Sequence, residues 1–235
     1  MKTKTNPWMI LLAATSIAIM MAAVSSCTKS DDDNNNKITA GTFTDPRDGR
    51  VYKTLTLGNQ TWIAENLKYL PAVVGPATGS QTEPCYYVFG YDGTSIDEAK
   101  AIANFTTYGV LYNWAAAMSA CPAGWHLPDD AEWSQLIVHL GGESVAGGKL
   151  KETGTTHWND PNTGATNETG YTALPGGRRN DDGTFLYSGY NGYWWSSTVF
   201  SSGTAWGRWM YYKSNGVSRD ACNKEYGFSV ICVKN

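Results

Sequence analysis

The stretch C-P-A-G-W-H-L-P-D-D-A-E-W, residues 121–133, decides the fold class, because it contains a clearly marked helix start. Asp129 is a good N-cap, and Glu132, three residues later, completes a capping box. Apolar residues then recur at the i, i+3, i+4 and i+7 spacing of one helix face, and a glycine ends the pattern. These residues are Trp133, Leu136, Ile137, Leu140 and the terminating Gly141. The stretch predicts a helix with one buried stripe.

Before this helix, the sequence predicts a β-hairpin and a first helix. Val51–Leu57 alternates like a strand, Gly58-Asn59 forms a two-residue turn, and Gln60–Ala64 returns. Tyr108–Ala120 is predicted to be helical, because apolar residues recur on one face and alanines are frequent.

After the marked helix, a shorter helix is predicted over Glu143–Lys151, and from Glu152 on the helical period disappears. Short apolar pieces then alternate with Gly, Asn, Thr and Asp, which is typical of loops around a few strands. The order of hairpin, two main helices and a loop-rich, small antiparallel sheet indicates an α+β fold.

Composition excludes several classes of protein. The chain has 235 residues, of which 18 are basic and 21 acidic, 17% are charged, 13% are aromatic and 25 are glycine. Disordered chains have few aromatic and many charged residues, so that class is excluded. There is no basic excess to neutralise phosphates, so no nucleic-acid partner is expected. Coiled coils lack this frequency of Gly and aromatics.

The first residues have the layout of a secretory signal. Lys2 and Lys4 precede an apolar stretch from Trp8 to Val24, and V-S-S-C at 24–27 resembles a lipobox whose Cys27 is lipidated. Ordinary signal cleavage with an incidental cysteine is the alternative. We therefore predict a signal peptide over 1–26.

The next residues predict a tether and an outward-facing location. Residues 27–40 form an acidic flexible tether, followed by one domain over 41–235. The run S-D-D-D resembles the surface-export signal of lipoproteins in Bacteroidota-type bacteria. The expected location is the outer membrane, facing the exterior, with membrane contact only through the lipid anchor. A periplasm-facing protein with a plain spacer is the alternative.

Four cysteines follow Cys27. An even number in an exported chain argues for two disulfides, which allows three connectivities. Zinc is not expected, because none of the spacings forms a C-x-x-C knuckle. The four are Cys85, Cys121, Cys222 and Cys232.

A set of motifs resembles the Fibrobacter succinogenes major paralogous domain over roughly 41–235. Ile231 departs from the family, which usually has Arg before the cysteine. The motifs are W-I-A-E-N-L at 62–67, Y-G-V-L-Y-N-W at 108–114, C-P-A-G-W-H-L-P-D-D-A-E-W at 121–133, A-G-G-K-L-K at 146–151, A-L-P-G-G-R-R at 173–179, Y-W-W-S-S-T at 193–198 and G-F-S-V-I-C-V-K at 227–234.

That family is similar, more distantly, to the formylglycine-generating-enzyme branch of the C-type lectin fold. The resemblance implies a lectin-like domain with paired termini, two packed helices and long loops on the other side. It also implies the long-range disulfide Cys121–Cys232, which leaves Cys85–Cys222 as the second pair.

Catalysis is not expected. Neither late cysteine stands in the oxidase motif, and the histidines His126, His139 and His157 belong to no nucleophile elbow or H-E-x-x-H motif. W-N-D at 158–160 copies the letters of a calcium-dependent lectin motif at the wrong place in the chain. No cofactor or metal is predicted; Asp160, Asp181 and Asp182 are the carboxylates considered for calcium.

The positive signal is an aromatic cluster, with eleven aromatic residues over 185–212. Adjacent Trp194 and Trp195 should point to opposite faces of a strand, one of them outside the core. Tyr, Trp and Arg offer flat apolar surface with polar edges, which suits sugars and protein hot spots. The residues predicted to form one ligand-binding face are Tyr190, Tyr193, Trp206, Arg208, Trp209, Tyr211, Arg219 and Asn223.

Two functions are compatible with this signal. The first is a non-catalytic surface module that binds a glycan or a protein through the aromatic face. The second is a structural or accessory subunit of a cell-surface assembly. Small polar residues alternate with framework residues over 199–226, as in lectin-like lipoproteins diversified by retroelements, so a diversified receptor-binding protein is a further hypothesis.

Overall fold

The computed structural model describes residues 38–235, so the signal peptide, Cys27 and most of the predicted tether lie outside the described residues. The described part is mixed α and β, with sheets dominating and five short helices. The strands are β1 Thr39–Thr44, β2 Val51–Leu57, β3 Gln60–Ile63, β4 Tyr86–Tyr87, β5 Leu111–Tyr112, β6 Trp125–His126, β7 Gly176–Arg179, β8 Phe185–Ser188, β9 Asn191–Val199, β10 Thr204–Tyr211, β11 Val217–Asn223 and β12 Val233–Lys234. The helices are α1 Ile96–Ala101, α2 Ala103–Tyr108, α3 Trp114–Ala117, α4 Asp130–His139 and α5 Ala146–Leu150.

The first sheet joins both ends of the domain. Its strand order is β1-β2-β3-β12-β6, so the last strand lies beside the N-terminal hairpin. The predicted hairpin is present, with Gly58 at φ 59° in its turn, where glycine has no Cβ to clash. An additional strand, β1, precedes it and starts at Thr39, two residues before the predicted start of the domain near Gly41.

The second sheet carries the aromatic-rich part of the chain. Its order is β11-β10-β9-β7-β8, antiparallel except for β7 beside β9. The register between β9 and β10 shifts at Ala205 and Gly207, where the extra residues lie in β9 between Trp195 and Val199. Trp194 and Trp195 on β9 point into two different hydrophobic clusters, as strand alternation predicts. Both are fully buried, so the expectation that one lies outside the core is wrong.

The marked helix α4 is confirmed, including both hydrogen bonds of the capping box. The helix predicted over Tyr108–Ala120 is wrong in extent. Helix α2 ends at Tyr108, and Gly109 takes φ 77°, which a helix does not allow. Asn113 then caps α3, and its buried Oδ1 accepts from the backbone N–H groups of Cys85 and Ala116. Hydrogen bonding by the Asn113 side chain, to Ala116 nearby and to Cys85 far away in sequence, therefore overrides the helical period.

The Cys121–Cys232 disulfide is present and joins the segment after α3 to the residue directly before β12. The expected Cys85–Cys222 pair is not formed, and both are buried free cysteines. Cys85 packs in a small cluster with Tyr87 and Leu111, whereas Cys222 belongs to the largest cluster. The two sulfurs are in separate clusters and therefore do not meet. The second pair was expected only because these two cysteines remained after the first pair was assigned.

Candidate functional site

The eight residues predicted as one binding face are divided by the second sheet. Strand alternation places residues two apart on the same face and neighbours on opposite faces. On β10, Trp206 and Arg208 therefore lie on one face, and Trp209 and Tyr211 on the other. Tyr193 and Arg208 are buried, so neither is a strongly exposed side chain of that face.

The first face packs against the start of α4. Asp130 accepts from two arginines, Arg208 Nη2 at 2.8 Å and Arg219 Nη2 at 2.7 Å. The Arg219 guanidinium also lies 3.6 Å from the centre of the Trp206 ring. Burial lowers the pKa of Arg208, against the opposing effect of the Asp130 carboxylate. These contacts attach β10 and β11 to the helix, so this face serves stability.

Two further predicted residues lie at the end of the sheet. Tyr190 is 46% exposed and makes an edge contact with Tyr212, which makes a second edge contact with Tyr211. Lys213 Nζ lies 5.2 Å from the Tyr212 ring. Of this group, only Tyr211 lies on the same face of β10 as Trp209.

On that opposite face, one side chain from each strand forms a line across the whole sheet. Tyr187 is on β8, Arg178 on β7, Tyr193 on β9, Trp209 on β10 and Asp220 on β11, in the spatial order of the strands. We call these five residues the aromatic row. Tyr187 and Asp220 are exposed, and Arg178 and Trp209 are half-buried. Tyr193 is buried and lies at the bottom of the row.

Contacts run along the row without a gap. The Tyr193 ring lies 6.4 Å from that of Tyr187 and 6.2 Å from that of Trp209. Trp209 Nε1 donates to the Asp220 carboxylate. Beneath the row, Phe228 stacks on Tyr193 at 5.1 Å and connects the row to the core. Burial raises the pKa of Tyr193 to about 12, so its phenol stays protonated and can donate a hydrogen bond.

Asn223 lies beside the row rather than in it. Its Nδ2 donates to Asp181, and its Oδ1 accepts from Gln81 and from the backbone N–H of Glu225. All its polar atoms are therefore engaged within the protein. Its role is to hold together loops that meet at the end of β11.

Three members of the row were missing from the sequence-based face. Arg178 stands in the G-G-R-R stretch, where its neighbour Arg179 is fully buried. Tyr187 lies within the aromatic cluster over 185–212 and Asp220 within the polar stretch over 199–226, and nothing in the sequence assigns them to one face. Alternation along β10 alone could have assigned its residues to two faces. The order of the five strands in the sheet, which the sequence does not show, was also needed to place the five side chains in one row.

Two concavities lie away from the row. One, of about 270 Å³, is lined by Lys53, Lys68 and Tyr171 among others; the second, of about 370 Å³, is lined by Arg50, Lys100 and Phe105 among others. Within residues 38–235, no group of three or more His, Cys, Asp or Glu side chains is placed to hold a metal. No helix of this described part is long and apolar enough to cross a membrane.

Fold and site together define a sheet-rich domain of mixed α and β structure with a shallow aromatic face. The Fibrobacter succinogenes major domain model matches residues 55–234, and the chain belongs to that family. Comparison with curated proteins gave no match. Comparison with solved structures also gave no match.

Proposed function

We propose that this protein is a non-catalytic lipoprotein of the cell surface that binds a glycan along the aromatic row. The observation that carries the proposal is the line of Tyr187, Arg178, Tyr193, Trp209 and Asp220 across five strands. Neighbouring strands lie about 4.8 Å apart, so three steps separate Arg178 from Asp220 by about 14 Å. A shallow site of that length suits a short oligosaccharide.

The chemistry of the row favours a sugar over a protein surface. The aromatic members combine a flat apolar ring with a hydroxyl or N–H at the edge, which matches a sugar ring and its hydroxyls. Arg178 supplies donors at one end, and Asp220 supplies acceptors at the other. Tyr, Trp and Arg are also enriched at protein–protein interfaces, but Asp is depleted there, and Asp220 is part of the row.

The histidines support a non-catalytic role. His126 contacts Asn235 and Glu132, so it is part of the capping-box region. His157 contacts Glu152 in a loop. Neither has a serine, threonine or cysteine as a hydrogen-bond partner, as a nucleophile–base pair requires.

A lectin-like fold and an outward-facing lipid anchor complete the proposal. Strand β12 beside the N-terminal hairpin, the disulfide to that strand and the loop-rich second half support the lectin-like assignment. The signal layout, Cys27 and the acidic run support the anchor and the location. Protease shaving of intact cells is expected to release the domain; full protection would contradict an outward-facing location.

Binding is tested with a matched pair of tryptophans on β10. The full-length protein, purified in detergent, is applied to a glycan array as wild type, Trp209→Ala and Trp206→Ala. Trp209→Ala should lower affinity for bound glycans by about thirtyfold, the equivalent of about 2 kcal/mol for a hot-spot aromatic. Trp206→Ala removes the same ring from the opposite face and should keep the affinity.

Thermal unfolding is measured for both variants, so that loss of binding is separated from loss of folding. Glycan binding that survives in folded Trp209→Ala would contradict the proposed site. An array with no bound glycan for the wild-type protein would contradict glycan binding itself.

A further inference from the structure

Arg178 is held by three aromatic rings. Its guanidinium carbon lies 5.3 Å from the Tyr187 and Tyr193 ring centres and 4.9 Å from that of Tyr226. Cation–π contacts at these distances are attractive and fix the plane of the guanidinium. The side chain is half-buried in the uncovered face, so its position is set before any ligand arrives.

No acceptor is provided for this guanidinium by the residues 38–235. Its Nε is buried without a hydrogen-bond partner, and no side-chain hydrogen bond or ion pair is formed by either Nη. A buried donor without an acceptor is costly, and guanidinium groups usually occur with carboxylates or carbonyls. The hydrogen-bonding capacity of the Arg178 guanidinium is therefore free for an acceptor from outside the protein.

The neighbouring arginine shows what a purely structural arginine looks like in this protein. Arg179 is fully buried, and its guanidinium donates to the backbone carbonyls of Pro76, Thr78 and Glu225. Its hydrogen bonds connect distant loops. Arg178, one residue earlier on the same strand, faces the row and makes no such bond.

Carboxylates near the row already have donors of their own. Each accepts at least one hydrogen bond from a side chain or backbone group nearby, and none forms an ion pair with Arg178. The pairs are Asp181 with Asn223, Asp182 with Thr184, and Asp220 with Trp209. The protein thus leaves Arg178 as a cationic donor on this face without a carboxylate partner among the described residues.

We propose that Arg178 forms a carboxylate subsite at one end of the aromatic row, so that the glycan recognised there contains an acidic sugar such as a hexuronic acid. This inference rests on the proposed function of the row. A planar guanidinium binds a carboxylate through two parallel hydrogen bonds, and the surrounding rings pack against the sugar. Trp209 and Asp220 then contact the following sugar units and their hydroxyls.

The test compares acidic oligosaccharides with their carboxyl-reduced counterparts. The probes are trimers and tetramers of glucuronic, galacturonic and mannuronic acid, each paired with the same chain after reduction of the carboxylates to primary alcohols. Affinities are measured by calorimetry on the full-length protein in detergent, at fixed salt. The wild-type protein should bind one acidic series at least tenfold more tightly than its reduced counterpart.

Two variants test the role of the guanidinium. Arg178→Met keeps the apolar stem and should bind the acidic and reduced chains with equal affinity, so the ratio of the two affinities should fall to about one. Arg178→Lys keeps the charge without the paired donors and should retain part of the preference. Thermal unfolding confirms that both variants are folded.

The two proposals fail in different ways. A wild-type protein that binds neutral chains through Trp209 without preferring acidic ones would overturn the carboxylate subsite and leave the row as a glycan site. A preference for acidic chains that persists in folded Arg178→Met would also overturn it. Binding of neither series, together with an empty glycan array, would overturn both.

Discussion

Replacing Asp130 by alanine should destabilise the protein strongly, because it leaves a charged arginine buried without its carboxylate. The Arg208 side chain is 1% exposed, and Asp130 Oδ1 lies 2.8 Å from its Nη2. The remaining contacts of Arg208 are weak: Ser134 Oγ at 3.2 Å and the Asp130 carbonyl at 3.4 Å, with no partner for Nε or Nη1. No other carboxylate within the described residues forms an ion pair with it.

The expected cost is about 3–5 kcal/mol of unfolding free energy, the usual effect of removing one partner of a buried ion pair. For a domain of this size, each kcal/mol changes Tm by about 2–4 °C, so Tm should fall by roughly 10 °C. The assay is urea unfolding followed by tryptophan fluorescence, with thermal unfolding as a second measurement.

Two controls separate the buried from the exposed interaction. Arg219, the second partner of Asp130, has a side chain that is 38% exposed. Arg219→Met should therefore lower the unfolding free energy by at most about 1–2 kcal/mol, through loss of a surface ion pair and a cation–π contact. Adding Arg208→Met to Asp130→Ala removes the uncompensated charge and should recover most of the lost stability. A loss below about 1 kcal/mol for Asp130→Ala, without recovery in the double variant, would refute the buried assignment and return Arg208 to the candidate ligand contacts.

Three further predictions concern groups outside the row. Replacing Cys121 and Cys232 by serine should lower the unfolding free energy by about 2–5 kcal/mol, measured in urea, because the bridge closes a long loop; an unchanged value would contradict it. Burial raises the pKa of Cys222 to about 12, so alkylation at pH 8, followed by mass spectrometry, should modify it only after unfolding. Burial lowers the pKa of Lys151 to about 8 while its Nζ donates to three backbone carbonyls. Between pH 8 and 10.5 the folded protein therefore binds fewer protons at Lys151 than the unfolded chain does. The unfolding free energy of the wild type, relative to that of Lys151→Met, should rise from pH 7 to 9.5 by at most about 1.4 kcal/mol per pH unit. A decrease in this free-energy difference over the same pH range would contradict the prediction.

Features specified by neighbouring residues could be predicted from the sequence. Helix α4 was predictable because its cap, its apolar stripe and its terminating glycine lie within thirteen residues. The hairpin of β2 and β3 was predictable for the same reason. Helix α3 was not, because Asn113 uses its side chain to bind Cys85, twenty-eight residues earlier, and that contact exists only in the folded chain.

The binding face shows a different limit. Aromatic density correctly drew attention to β9, β10 and β11, but density carries no information about side-chain direction. Trp206 and Trp209 are three residues apart on one strand, so alternation alone places them on opposite faces. Which of these faces is covered depends on where α4 and the segment around Phe228 pack, and that is decided by contacts far apart in sequence.

The position of the row on strands rather than loops has a consequence for how its specificity can change. The hydrogen-bond register of the sheet pairs Trp209 directly with Tyr193 across β9 and β10. Replacing an exposed member such as Asp220 removes its contact with Trp209 Nε1 but leaves the backbone bonds of the sheet in place. The residues facing α4 lack this freedom, because Arg208 and Asp130 must be changed together. Strand β10 thus keeps its stability on one face and its variable contacts on the other, so substitutions at Trp209 and Asp220 should alter binding far more than folding.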